Sequence, residues 1–397
     1  MEQPPQRVTA WQQIIDQFNS LHPSIRVTQE VQDWNLIYPK IAAAVASGTQ
    51  PDILFTIPDF TTYVRGIGAV QPVTALVQEL DQAHGFLTAA TAAYNDQGEY
   101  WAVPLYGMVQ MLWYRRDLFE QAGITAPPAT WEEMLAYTQK LTTGTQHGVV
   151  LPAGKNLATD QVIYSLMITA GAENLFDAQG NIVFDNPDTV RTFEFYNDLL
   201  QYAPVDVAAF SWGEPQALLN TGAAAMAIEK GQYLTPFTAE SGRPASDLGC
   251  ALIPQPATNG QAGSIYYSNA AMIMTSDQAK KEASAEFLRY LLQPDVYGLF
   301  LNAEPGLFLP LTQTGAEAES WLGHPIIEEY QYCVDLMLQQ SQSGMLFGFT
   351  DGQYQIDIGL ISGQNILAQT IQRMFIGGES AQDAVTWGQG QMEAALE

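Results

Sequence analysis

Asp59 and Glu229 are examples of acids that could loosely form a chemically useful pair. A pair of carboxylates at a controlled separation is what glycoside hydrolysis requires, one as acid and one as base or nucleophile. With 42 Asp and Glu in the chain, however, many loose pairs exist, and this one is not singled out by spacing. The four histidines, His22, His84, His147 and His324, are isolated in turn-like or loop-like sequence. No GxSxG, GxxxxGK[ST] or HExxH pattern occurs, so serine-hydrolase, P-loop and zinc-protease chemistries lack their usual residues. No metal-ligand set and no cofactor is called for. Cys250 and Cys333 are far apart and in no CxxC or Cys/His cluster, which leaves one bridge or two free buried thiols open.

The elements that would position these residues follow the periodicity of apolar side chains. Val8, Trp11, Ile14, Ile15, Phe18 and Leu21 share a helix face. Residues 25–31 alternate as a half-buried strand. A second helix over 36–46 leads through Ser47-Gly48-Thr49 to the apolar run 53–57, the pattern of a buried parallel strand in a βαβ crossover. Helices are predicted near 72–80, 130–141, 157–171, 188–201, 214–221, 277–292, 294–302, 324–341, 355–376 and 380–396. Strands are predicted near 111–114, 148–151, 224–228, 249–252 and 270–274.

At 397 residues the chain exceeds the size at which one core keeps growing, and two lobes are expected. Apolar residues at 47% with 14% charged describe a packed globular protein. The formal net charge of -27 repels phosphate backbones and anionic headgroups, which argues against nucleic-acid and peripheral membrane binding. No run approaches the roughly 18 apolar residues of a membrane-spanning helix, and no Ser/Gly/Pro linker separates independent domains.

The order of several local patterns resembles the family 1 extracellular solute-binding proteins of ABC importers, the maltose-binding-like sugar binders. The stretches that carry it are 14–27 (IIDQFNSLHPSIRV), 41–53 (IAAAVASGTQPDI), Val103-Pro104, 112–123 (LWYRRDLFEQAG), 127–134 (PPATWEEM), 219–228 (LNTGAAAMAI) and 283–291 (ASAEFLRYL). The resemblance implies an α/β, two-lobed periplasmic-binding-protein fold of type II-like form, each lobe a sheet flanked by helices, with the ligand cleft between lobes. It divides the chain into 1–108 with 258–310, and 109–257 with 311–397. It implies a monomer that captures a small carbohydrate, hands it to membrane permease subunits and performs no chemistry. A sensor that presents the same ligand to a receptor would use the same cleft. Such proteins act in the periplasm or outside the cell. Because the family usually opens with a strand before its first helix, while this chain opens Met1-Glu2-Gln3-Pro4-Pro5, a longer exported form, anchored as a lipoprotein, is expected.

Sugars offer an apolar ring face and a rim of hydroxyls, so their sites pair aromatic platforms with carboxylates and amides. Asp59, just beyond the run 53–57, is a contact by that filter, or else an Asx turn or helix cap. Trp34 is a stacking platform or ordinary packing. Tyr106 is placed in a loop, 102–107, that faces the cleft, whereas Met108, Met111, Trp113 and Tyr114 read as structural. In the second lobe the resemblance implicates Glu229 and Tyr233, with Trp212 a contact or a surface aromatic. It further implicates one of Tyr266 and Tyr267, the Asn269 amide, Glu304 and the Gly306 backbone. Phe349 and Tyr354 are platforms in a Gly-rich loop, where Asp351 could instead cap the next helix. Disaccharides or glycosides of the glucosylglycerol, trehalose, sucrose or maltose type would suit several platforms.

Overall fold

The 3.6-residue spacing at the start of the chain forms the helix Pro5–Leu21, which buries Trp11, Ile14, Ile15 and Phe18. The computed structural model describes residues 5–350 and 355–397. Trp11 meets Phe300 edge-on at 4.8 Å and Phe18 meets Phe287 at 5.1 Å between ring centroids, so this helix packs on Gln278–Leu291 and Pro294–Leu301.

Residues 25–31 keep the alternating burial that predicts a strand, yet they join no sheet. Their backbone is met instead by a side chain. The Val27 N–H donates to Asn19 Oδ1 at 2.8 Å, and Asn19 Nδ2 donates to the Val27 carbonyl at 3.0 Å. The amide of Asn19 thus makes the two bonds a neighbouring strand would make, and period-2 patterning cannot tell these cases apart.

The chain divides into two compact units, Met1–Met108 with Tyr267–Glu329, and Val109–Tyr266 with Tyr330–Glu397. In the first, the strand Ile53–Thr56 pairs antiparallel with the end of Ser264–Ile273, Ile53 opposite Ile273, and Val103–Val109 flanks that strand on its other side. The parallel crossover predicted for 53–57 is therefore corrected: the partner of this strand comes from far along the chain. Val103–Val109 is buried at every residue. This overturns the loop predicted over 102–107. In the second unit, Met111–Arg115 is central, with Met226–Glu229 and Leu248–Ala251 antiparallel on either side. Residues 148–151 contribute a single bridge rather than a strand, Val150 to Ala227, beside that of His147 to Ala224.

The helix Leu157–Ala170 is buried at all of its residues and packs on Pro187–Leu200 and Ile366–Phe375. Two predicted helices are broken. That over 324–341 becomes Pro325–Glu329 and Gln331–Gln342. That over 355–376 becomes Ile358–Ser362 and Ile366–Phe375, parted at Asn365, whose φ is 54°. Asn365 is held there by buried Asp160, which accepts from Asn365 Nδ2 at 2.8 Å and from the Ala368 N–H at 2.7 Å. A carboxylate from a neighbouring helix caps this N-terminus. Asp160→Ala leaves the buried Ala368 N–H and the half-buried Asn365 amide without this acceptor, and a loss of about 2–3 kcal/mol is expected. Urea unfolding would show it as a lower midpoint at unchanged slope.

Cys250 and Cys333 form a disulfide that joins the strand Leu248–Ala251 to the helix Gln331–Gln342.

Candidate functional site

The first unit sets an acid and a group of aromatic rings just past the strand Ile53–Thr56. Asp59 lies in the first turn of the helix Pro58–Gly66 and is only 1% exposed. It is not the N-cap of that helix, which is Ile57. Tyr38 donates its hydroxyl to Asp59 Oδ2 at 3.3 Å. The Tyr38 and Trp34 rings both stand edge-on to Phe60, at 4.8 and 5.8 Å. Asp33 positions Trp34 by accepting the Asn35 N–H at 2.9 Å, which starts a turn of 3₁₀ helix, Trp34–Leu36. Trp34 and Asp59 thus share one neighbourhood, and Tyr38 belongs to it although sequence reading passes it over. A signal for it exists, because Tyr38 falls four residues after Trp34 where the chain turns helical.

Tyr106 and the segment 304–308 form a second group in this unit. The Tyr106 ring lies 3.9 Å from Phe308 and 5.6 Å from Phe300. Burial pushes its hydroxyl up to about 12. Glu304 accepts from Arg7 Nε at 3.0 Å and Nη2 at 2.9 Å, an ion pair with both side chains buried. Arg7 also faces the Phe308 ring at 5.3 Å. Gly306 has φ 84°, the left-handed region that closes this turn.

Tyr266, Tyr267 and Asn269 all lie in the strand Ser264–Ile273, and all are buried. Tyr266 falls in the second unit, where the backbone of Gly344 lies so near that an added Cβ would stand 2.5 Å from Tyr266 Cβ. Burial raises the Tyr266 hydroxyl above its ordinary range. Tyr267 and Asn269 belong to the first unit, and Asn269 Nδ2 is buried without a hydrogen-bond partner.

In the second unit Glu229 ends the strand Met226–Glu229 and is fully buried. Its Oε1 accepts from Lys230 Nζ at 3.1 Å and from the Lys230 N–H at 3.0 Å, while Oε2 has no partner. Lys230 also lies 5.7 Å above the Trp212 ring. Trp113 donates its indole N–H to the Glu229 carbonyl at 2.9 Å and stacks on Tyr233 at 5.4 Å. The Tyr233 hydroxyl is buried, unpartnered and raised well above its usual range, by burial first and by the Glu229 charge second. Trp212, Glu229 and Tyr233 are therefore brought together. Lys230, the cation that neutralises the group, escapes sequence reading because a lone lysine beside a glutamate ordinarily marks a solvated face.

Phe349 is buried on another segment, after Phe347, which packs edge-on to Tyr164 at 4.8 Å. Tyr354 and Asp351 lie outside the described residues. Among the described residues no cluster of His, Cys, Asp and Glu is suited to hold a metal ion.

The chain passes three times between two α/β units, an organisation whose fold is that of solute-binding proteins of known structure. The model for bacterial extracellular solute-binding proteins matches residues 3–297, and the chain belongs to that family. A putative ABC transporter periplasmic-binding protein of Escherichia coli, YcjN, is 21% identical over 391 residues, covering 97% of this chain and 88% of that protein. A mannitol-binding protein of Pseudomonas aeruginosa is 25% identical over 279 residues, 68% of this chain and 62% of that one. The maltose-bound MalE3 of T. maritima superposes with a TM-score of 0.82 at 17% identity, over 98% of this chain and 96% of that chain.

Proposed function

We propose that this chain is the substrate-binding component of an ABC importer for a small carbohydrate or polyol, which it hands to membrane permease subunits. The observation that carries this reading is a repeated device. Each unit places a buried acid at or just beyond the end of a strand, with aromatic rings beside it: Asp59 with Trp34, Tyr38 and Phe60, and Glu229 with Trp113, Trp212 and Tyr233. Carboxylates accept hydroxyl hydrogens and ring faces accept C–H surface, which together match a polyhydroxylated ligand. The YcjN and mannitol-binding relatives support an import role and a hydroxyl-rich ligand.

The two compact units are the two lobes in this reading, and Trp34, Asp59, Asn269, Trp212, Glu229 and Tyr233 are the contacts. The disulfide supports a location outside the cytoplasm, where oxidising conditions preserve such bonds. Among the described residues no helix is long and apolar enough to cross a membrane.

Calorimetry with mannitol, maltose, trehalose, sucrose and glucosylglycerol, run beside a product assay, tests the reading. Saturable heat with at least one of them and no product is expected, and turnover would replace it with a hydrolase. With the sugar that binds, Asp59→Asn, which replaces a charged acceptor by a neutral amide, and Tyr233→Phe, which removes a buried hydroxyl, are each expected to weaken affinity by roughly 10- to 100-fold.

A further inference from the structure

The chain passes between its units at 108/109, 266/267 and 329/330, and on the second-unit side each passage runs at once into a fastening. After the first stands Gln110, fully buried between two strands. Its N–H donates to Ser264 Oγ at 3.1 Å, and its side-chain Oε1 accepts from Ser165 Oγ at 2.7 Å. Ser165 Oγ in turn accepts the Ile265 N–H at 3.1 Å. Gln110 therefore ties the first passage to the residues just before the second, with Ser165 of the helix Leu157–Ala170 as the bridge.

The third passage enters the helix Gln331–Gln342, and within its first turn Cys333 is bonded to Cys250. Cys250 sits opposite Trp113 in the strand that pairs with Met111–Arg115, the continuation of the first passage. Beyond the same helix, Gly344 and Met345 pair with Ser264 and Ile265. Each passage is thus linked to both of the others inside one unit. Gln110, Ser165, Ser264 and both cysteines are buried, so solvent does not compete for these bonds.

We infer that Gln110, Ser165 and Ser264 together with the Cys250–Cys333 disulfide form a clamp that makes the three passages move as one body, with Gln110 its positioning residue. The inference rests on the reading of the chain as a binding protein whose units move. A clamp of this kind does not contact ligand. It restricts the conformations that the units sample before ligand arrives.

The test needs no ligand, so its outcome is independent of which solute is bound. Both native cysteines are in the disulfide, so nitroxide labels attach only to introduced Gln82→Cys and Lys140→Cys, which are exposed and lie in different units. Pulsed electron resonance gives the distribution of label distances. Against this parent, Gln110→Ala and Ser165→Ala are each expected to widen the distribution roughly twofold, as a loosened hinge samples more states. The same labels on Cys250→Ala/Cys333→Ala protein form a third arm, in which the distribution is expected to widen likewise. Circular dichroism verifies the fold of every variant. A distribution of unchanged width in the folded variants, with only the melting point lowered, overturns the clamp and leaves these residues as packing.

Discussion

Replacing both cysteines, Cys250→Ala with Cys333→Ala, is expected to remove about 4–5 kcal/mol of stability from the second unit. The bridge closes a loop across a sequence separation of 83, and the unfolded chain regains the entropy of that loop when the bridge is gone. Native packing changes little, because both residues are buried and alanine leaves only small voids. For a unit of this size the melting point should fall by about 8–15 °C. Calorimetric scans of the variant and parent under non-reducing conditions would measure it. A fall below about 2 °C would mean that the unfolded second unit is already held compact without the bond.

The second large effect is expected at Glu229. The single variant Glu229→Ala leaves the ammonium of Lys230 buried beside the Trp212 ring with its carboxylate gone. An ion stranded in this way costs about 3–5 kcal/mol, far more than the pair contributes relative to apolar side chains. The double variant Glu229→Ala/Lys230→Met removes the stranded charge and should recover most of the loss. Denaturant unfolding of the two single variants and the double closes the cycle. Equal and additive losses would show that the two side chains do not depend on each other. The cycle reports stability, so it reads the pair separately from any part Glu229 takes in binding.

Helices are the most legible part of the chain, because their apolar spacing and their caps agree. Thr130, Asn156, Asn186, Asp277 and Ser380 each accept a backbone N–H at the start of a helix that periodicity also locates. Agreement between two local signals is what makes a segment readable. The breaks at Tyr330 and Asn365 are not readable. One adjoins a chain passage, and the other depends on Asp160, |i−j| = 205 away in the chain. Strand partners are similarly non-local, which is why 53–57 looks like a parallel crossover, whereas 25–31 looks like a strand because the nearby Asn19 amide supplies the bonds a strand would.

The candidate site divides along the same line. The neighbourhoods of Asp59 and Glu229 can be anticipated from their places at strand ends. Tyr106 reads as a loop residue because Pro104 and Gly107 are turn residues, yet both lie in the strand Val103–Val109, where Gly107 bridges Leu309. Lys230 and Tyr38 carry no strong pattern of their own and acquire meaning only from the acid each one touches. The pairing of Cys250 with Cys333 likewise requires their approach in space.

Leu157–Ala170 has no solvent-facing side, so the usual division of a helix into a constrained stripe and a free one does not apply to it. Every residue there is bounded by volume, and Thr159, Asp160, Gln161, Ser165 and Thr169 are bounded by polarity as well. Such a segment cannot drift one position at a time. A substitution at any of these 14 residues meets packed neighbours whichever way its side chain points, so it is accommodated only when those neighbours shift with it.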